Sequence, residues 1–163
     1  MKMTLIRHSK RDHTIESDNG LNKEGKLLAE RLFSRLQPEG NLPKPTQLIS
    51  SPKQRAQQTL MPLSEKLSLP LQIEKLLDER TASETSVDFR SRVRKFLDLL
   101  PEKFKKNEVV YLCTHADWLE EAMVVMPTDL HEEITERSFS CCELRSFEFK
   151  DGLWIFSKLE SGI

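Results

Sequence analysis

Val109-Val110-Tyr111-Leu112-Cys113-Thr114-His115 is the stretch whose reading decides the fold. Its first five residues form an apolar, partly β-branched run of the kind that a central parallel strand, buried on both faces, requires. Such a strand delivers Thr114 and His115 to its carboxyl end, where open α/β sheets place their ligand sites. The periodicity beyond it predicts a helix from Trp118 to about Val125 that starts beside the histidine.

Working toward the amino terminus, the same logic recurs. Met3-Thr4-Leu5-Ile6 reads as a brief buried strand that ends at Arg7 and His8. Asn22 is a good N-cap for a helix with apolar positions at Leu27, Leu28, Leu32 and Leu36, which should stop before Pro38. After Pro43 and Pro45, Gln47-Leu48-Ile49-Ser50 resembles a second strand. Ser51-Pro52 then reads as an N-cap with proline at the first helical position, opening a helix to about Lys66 with a kink or early end at Pro62. Leu69 to Ile73 is a candidate third strand, and Val87 to Leu100 a helix whose apolar face is Phe89, Val93, Phe96, Leu97 and Leu100, ending before Pro101.

Toward the carboxyl terminus, Cys142 to Phe149 and Leu153 to Leu159 alternate around Asp151-Gly152, a strong hairpin signal. Strands alternating with helices and closed by such a hairpin argue for an α/β fold. The expected form is a three-layer sandwich with a mostly parallel central sheet, helices on both faces and a C-terminal antiparallel hairpin. At 163 residues, one domain over 1–163 suffices.

The bulk composition narrows the partners. Lys plus Arg, 25, nearly balances Asp plus Glu, 26, so the overall charge favours neither nucleic acid nor an anionic membrane, and any anion must be drawn by a local cluster. The apolar start, Met1 to Ile6, is too short for a signal peptide or a membrane span, so a cytoplasmic location is expected. Three cysteines, Cys113, Cys141 and Cys142, with no Cys-x-x-Cys spacing, suggest neither a disulfide framework nor a thiolate zinc site. A zinc site of His8, His115 and Cys113 has no metal-type spacing behind it, and no cofactor is implied. The Cys141-Cys142 pair reads as strand filling, Phe89, Phe96 and Trp118 as core, and His13 and His131 as surface or loop residues.

Three separated segments place phosphate-binding groups at comparable points: Arg7-His8 after the first strand, Arg55 early in the helix after Ser51-Pro52, and His115 after the Val109 strand. Leu5-Ile6-Arg7-His8-Ser9 resembles the Arg-His-Gly signature of the histidine phosphatase superfamily, which includes the phosphoglycerate mutases. Ser50-Ser51-Pro52-Lys53-Gln54-Arg55-Ala56-Gln57-Gln58-Thr59 is similar to that family's Ser-Ser-Pro-x-x-Arg-Ala-x-x-Thr stretch almost residue for residue. Leu77-Asp78-Glu79-Arg80 resembles the segment that supplies an acidic proton donor, and Thr114-His115-Ala116 the element carrying a second histidine. Leu21-Asn22-Lys23-Glu24-Gly25 is similar to a helix-opening motif with a capping role. Ser9 and Ala116 stand where the family often has glycine, which denies the backbone glycine-only conformations there.

The resemblance implies a phosphoglycerate mutase-like fold and a phosphatase acting through a phosphohistidine on His8. The chemistry suits these residue types on its own terms, because a phosphomonoester dianion must be gripped, neutralised and attacked in line. Arg7 and Arg55 offer planar forks of donors, with Arg11 a possible third guanidinium or a solvated loop charge. His8 is the candidate nucleophile, His115 a donor to the equatorial oxygens, and Glu79 the acid and base. Asp117 is the main rival to Glu79, with Asp78, Glu84 and Asp88 also within sequence reach.

Only about a dozen residues separate Ile73 from Val87, and the connection from the Val109 strand to the hairpin is also brief, so little chain is left for a lid. An open site admits water and favours hydrolysis of phosphomonoesters over mutase transfer. The chain's length also resembles the short bacterial phosphohistidine phosphatases, which usually lack the acid segment, leaving a phosphoprotein substrate as the runner-up to a phosphorylated small molecule. A non-catalytic phosphate-binding module is the remaining reading, and retention of both His8 and His115 argues against it.

Overall fold

A computed structural model describes residues 1–14, 17–32, 34, 42–129 and 137–160. The Val109 run is strand β4, Val109–Thr114 in sequence, although β1, Lys2–Arg7, β2, Gln47–Ser50, and β3, Leu71–Ile73, precede it in the chain. β4 lies between β1 and β2, parallel to both, and β3 continues the parallel part beyond β2. On the other side, β5, Leu144–Lys150, runs antiparallel to β1 and turns into β6, Leu153–Glu160. The sheet order is therefore β3-β2-β4-β1-β5-β6. Asp151 and Gly152 both have positive φ, 50° and 84°, which matches the right-handed twist of the hairpin arms.

Alternation along each strand divides the core into two halves. Met3, Leu5, Ile49, Val110 and Leu112 point to one face and pack with α3, Ser86–Lys103, and α4, Ala116–Val125. Ile6, Leu48, Tyr111 and Cys113 point to the other and pack with α2, Gln54–Leu67, beside α1, Lys23–Arg31. The result is the expected three-layer sandwich. Phe89, Phe96 and Trp118 are core residues, and the Trp118 ring N–H is satisfied by Leu76 O at 2.8 Å.

Several local expectations give way to tertiary packing. Pro62 and Pro101 neither end nor open their helices, which run on to Leu67 and Lys103. An interior proline costs about 3 kcal/mol, and burying Leu60 and Leu63 contributes about 1.5–3 kcal/mol each, enough to offset it. Helix α4 starts at Ala116, two residues before the expected Trp118, with His115 as its N-cap residue. β3 begins at Leu71 and not Leu69, and Leu27 of α1 is exposed while Leu28 and Leu32 are buried. Asn22 caps α1 as expected, its Oδ1 accepting from Gly25 N–H at 2.7 Å. Cys141 and Cys142 lie in a turn before β5, with Cys142 at φ 57°, so they are not strand filling. Leu36, Pro38 and His131 fall outside the described residues.

Candidate active site

Register brings the two histidines together. Ile6 pairs with Cys113 and Arg7 with Thr114, and the His8 N–H donates to Thr114 O at 3.0 Å, which carries the ladder one residue further. His8 and His115 thus leave neighbouring strand ends side by side, with ring centroids 5.2 Å apart. On the far side of β4, Ser51 N–H donates to Cys113 O at 3.0 Å and holds the end of β2 level with them. That bond ties Ser51, the residue just past β2, to β4; α2 opens at Gln54 with Lys53 as N-cap, and the expected Ser51-Pro52 cap does not form.

His8 is nearly buried, and its Nδ1 lies 2.7 Å from Ser9 O. A carbonyl only accepts, so Nδ1 carries the proton and Nε2 keeps the lone pair. Burial, opposed by the Ser9 hydrogen bond and reinforced by the charges of Arg55, Arg7 and Arg11, lowers the His8 pKa to about 4. His115 is oriented from both sides: Arg55 Nη2 donates to its Nδ1 at 3.3 Å, leaving Nε2–H to donate to Ser51 Oγ at 2.7 Å. Burial first, then the proximity of His8, Arg55, Lys53 and Arg11, lowers its pKa to about 2. Both rings are therefore neutral at pH 7.

The two guanidiniums are anchored differently. Arg7 Nη1 donates to Phe139 O, and the Arg7 backbone is clasped by Glu143 O and Cys142 N–H. Arg55, 3 % exposed, donates to Asn19 Oδ1 at 3.2 Å and to Glu79 Oε2 at 2.5 Å. Among the described residues, the buried side-chain nitrogens left without a partner are the Nε atoms of these two arginines. Orphaned donors of this kind on two converging guanidiniums are suited to an oxyanion.

Glu79 sits across the cavity on Arg55, with Lys53 Nζ 3.5 Å from its other oxygen. Partial burial pushes its carboxyl upward, but the Arg55 hydrogen bond and charge, with Lys53, hold it below the usual range. The neighbouring Asp78 goes the other way: burial raises it, against Lys53 and the Glu79 N–H, and its Oδ1 is 3.9 Å from His115 Nε2. Asp117 is occupied by two backbone donors, Trp118 N–H and Arg80 N–H, both at 2.8 Å. Glu84 is held by Arg92, and Asp88 by the Thr85 cap of α3.

Arg7, His8, Arg11, Arg55, Glu79, His115 and Asp117 all line one cavity of about 560 Å³. Every expected site residue is thus brought to one place, including Arg11. His13, expected on the surface, is exposed in a turn and also reaches the rim, as do Lys10, Asn22, Ala116 and Cys141. Ser9 and Ala116 adopt no positive φ, so glycine is not required at either. The Ser9 hydroxyl instead donates to Gly25 O at 2.8 Å and its N–H to Thr59 Oγ1 at 2.9 Å, tying the first strand end to α1 and α2. Asn19 carried no sequence signal for the site, because it acts through Arg55, 36 positions away in the chain.

The fold is shared with solved phosphatases. An Escherichia coli protein provisionally assigned as an alpha-ribazole-5'-P phosphatase superposes with a TM-score of 0.82 at 17 % identity, covering 99 % of this chain and 98 % of that one. A phosphoserine phosphatase from Entamoeba histolytica, in complex with 3-phosphoglyceric acid, gives 0.74 at 14 % identity over 98 % and 96 %. The protein histidine phosphatase SixA, in complex with tungstate, gives 0.70 at 19 % identity over 99 % and 97 %. No curated protein matches the chain in sequence. The family model for the histidine phosphatase superfamily, branch 1, matches residues 3–86, just over half of the 163 residues. With the Arg7-His8 strand end and the Ser50 to Thr59 stretch both inside that match, the chain belongs to the histidine phosphatase superfamily.

Proposed function

We propose that residues 1–163 are a single-domain phosphatase that hydrolyses phosphomonoesters through a phosphohistidine on His8, without a metal or cofactor. The observation that carries this reading is the pairing of a neutral His8, with its Nε2 lone pair kept by the Ser9 hydrogen bond, with two guanidiniums whose buried Nε atoms lack partners. Arg7 and Arg55 grip the phosphoryl oxygens, with Arg11 at the rim. His8 Nε2 attacks phosphorus, the ester P–O bond breaks, and Glu79 gives its proton to the departing oxygen. Water, deprotonated by Glu79, then attacks the phosphohistidine, releasing phosphate and His8.

The Arg55–Glu79 ion pair supports a coupling of these steps. A bound phosphate dianion competes for Arg55, so Glu79 loses its cation and gains a neighbouring anion, and both changes raise its pKa toward that of a proton donor. The same pair favours a second reading in which a phosphorylated protein histidine is the substrate, since an imidazole leaving group needs no proton from an otherwise engaged Glu79. Turnover of p-nitrophenyl phosphate is expected to persist in chelator and to be lost in His8→Ala. Metal-dependent turnover, or turnover in the variant, contradicts the mechanism. A phosphohistidine peptide cleaved in preference to both alkyl and aryl esters selects the second reading.

A further inference from the structure

Arg92 is on the second turn of α3, outside the cavity lining, yet its guanidinium is spent on the backbone of the acid segment. Nη1 donates to Leu76 O and Asp78 O, both at 2.9 Å, and Nη2 to Glu79 O at 3.3 Å. The other edge is bidentate on Glu84, Nε to Oε1 at 2.8 Å and Nη2 to Oε2 at 2.7 Å, and the group lies 4.9 Å from the Phe89 ring centroid. Between the 3-10 turn Lys75–Leu77 and α3, the chain has no ladder of its own to fix Asp78 and Glu79. One planar fork donating to three backbone carbonyls of that segment sets where the Glu79 backbone stands.

We propose that Arg92 is a positioning residue that holds Glu79 at the leaving-group side of the phosphorus and so decides whether the site cleaves esters of weakly acidic alcohols. The inference rests on Glu79 being the proton donor proposed above. Asp117 gives the segment a second anchor, through Arg80 N–H, from α4. Lysine at position 92 would keep the charge but not the fork, and cannot bridge three carbonyls and a carboxylate together.

The test compares Arg92→Lys, Glu79→Gln and the double variant on an alkyl phosphomonoester and on p-nitrophenyl phosphate, whose leaving group departs without a proton. Arg92→Lys is expected to lose about tenfold or more in kcat/KM on the alkyl ester, to stay within about threefold on the aryl ester, and to add nothing to Glu79→Gln. Glu84→Gln, which loosens the guanidinium while leaving its carbonyl contacts, is expected to show the same selective loss at smaller size. This second variant carries the comparison if Arg92→Lys fails to fold. Equal losses on both esters, no loss on either, or a further loss on top of Glu79→Gln overturns the proposal. If Glu79→Gln is itself unselective, the acid assignment falls and this inference with it; if Glu79→Gln is selective and the Arg92 and Glu84 variants are not, only the inference falls.

Discussion

His8 and His115 are neutral for the same main reason, burial, but their protons are placed by different partners. Ser9 O fixes the proton of His8 on Nδ1, while a donor-only Arg55 fixes that of His115 on Nε2. The consequence for stability has a definite sign. In the unfolded chain a histidine titrates near 6.5, whereas in the fold His8 titrates at about 4 and His115 at about 2. Between those values the unfolded chain binds protons that the native state does not, so stability is fully present above about pH 6.5 and falls as the pH drops through the window. One such proton corresponds to a slope of up to about 1.4 kcal/mol per pH unit. Urea unfolding of His8→Gln between pH 6 and pH 4 is expected to show a shallower loss than the native chain; an unchanged slope would mean that His8 is not held neutral by the fold. The residues themselves were legible because Arg7-His8, Arg55 and His115 each fall in a stretch that resembles a family motif, at two strand ends and in the first turn of α2. Their protonation was not, since it depends on a carbonyl and a guanidinium that the local sequence does not place.

At the scale of elements, the start of α1 is where local chemistry and tertiary approach coincide. Asn22 caps the helix, and Asn22 N–H also donates to Lys10 O at 3.0 Å, which draws the loop after His8 onto the first turn. The approach is so close that a Cβ on Gly25 would stand 2.1 Å from Lys10 O. Gly25→Ala is expected to destabilise the protein by about 1–3 kcal/mol and to weaken inhibition by inorganic phosphate, because Lys10 and Arg11 must shift; unchanged melting and inhibition would refute this. Helix and strand signals at Asn22, Gln47 to Ser50, Val109 to Thr114 and Asp151-Gly152 were readable because capping, alternation and turn chemistry are local. The boundaries at Ser51, Pro101 and Trp118 were misread, and the early end expected at Pro62 did not occur although the helix end near Lys66 did. At Ser51 a capping rule was outweighed by a bond to another strand, and at Pro62 and Pro101 a proline rule by burial against the sheet, while α4 starts two residues before Trp118.

For the whole molecule, the decisive fact is the order β2-β4-β1 at the centre of the sheet, which sets Ser51, His115 and His8 at adjacent strand ends although they are far apart in the chain. The clustering of Arg7, His8, Arg55 and His115 could be anticipated from two strand ends and one helix start that carry phosphate-binding residue types in the order of the family's motifs. The braces could not: Ser51 meets His115 across 64 positions, Arg55 meets Asn19 across 36, and the buried Glu143–Arg145 pair lies beneath the loop whose Phe139 carbonyl holds Arg7. Family membership rests on the amino-terminal half, whereas the second histidine and the loop over Arg7 come from the rest of the fold, so the site draws on both halves of the chain. The most direct test is to quench the enzyme during turnover of a phosphomonoester and locate the phosphoryl group by peptide mapping and phosphorus NMR. The account predicts an acid-labile phosphoramidate on Nε2 of His8, absent in His8→Ala. A phosphoryl group on any other residue, or hydrolysis in one step with no phosphoenzyme and inversion at a chiral phosphorus, would contradict it.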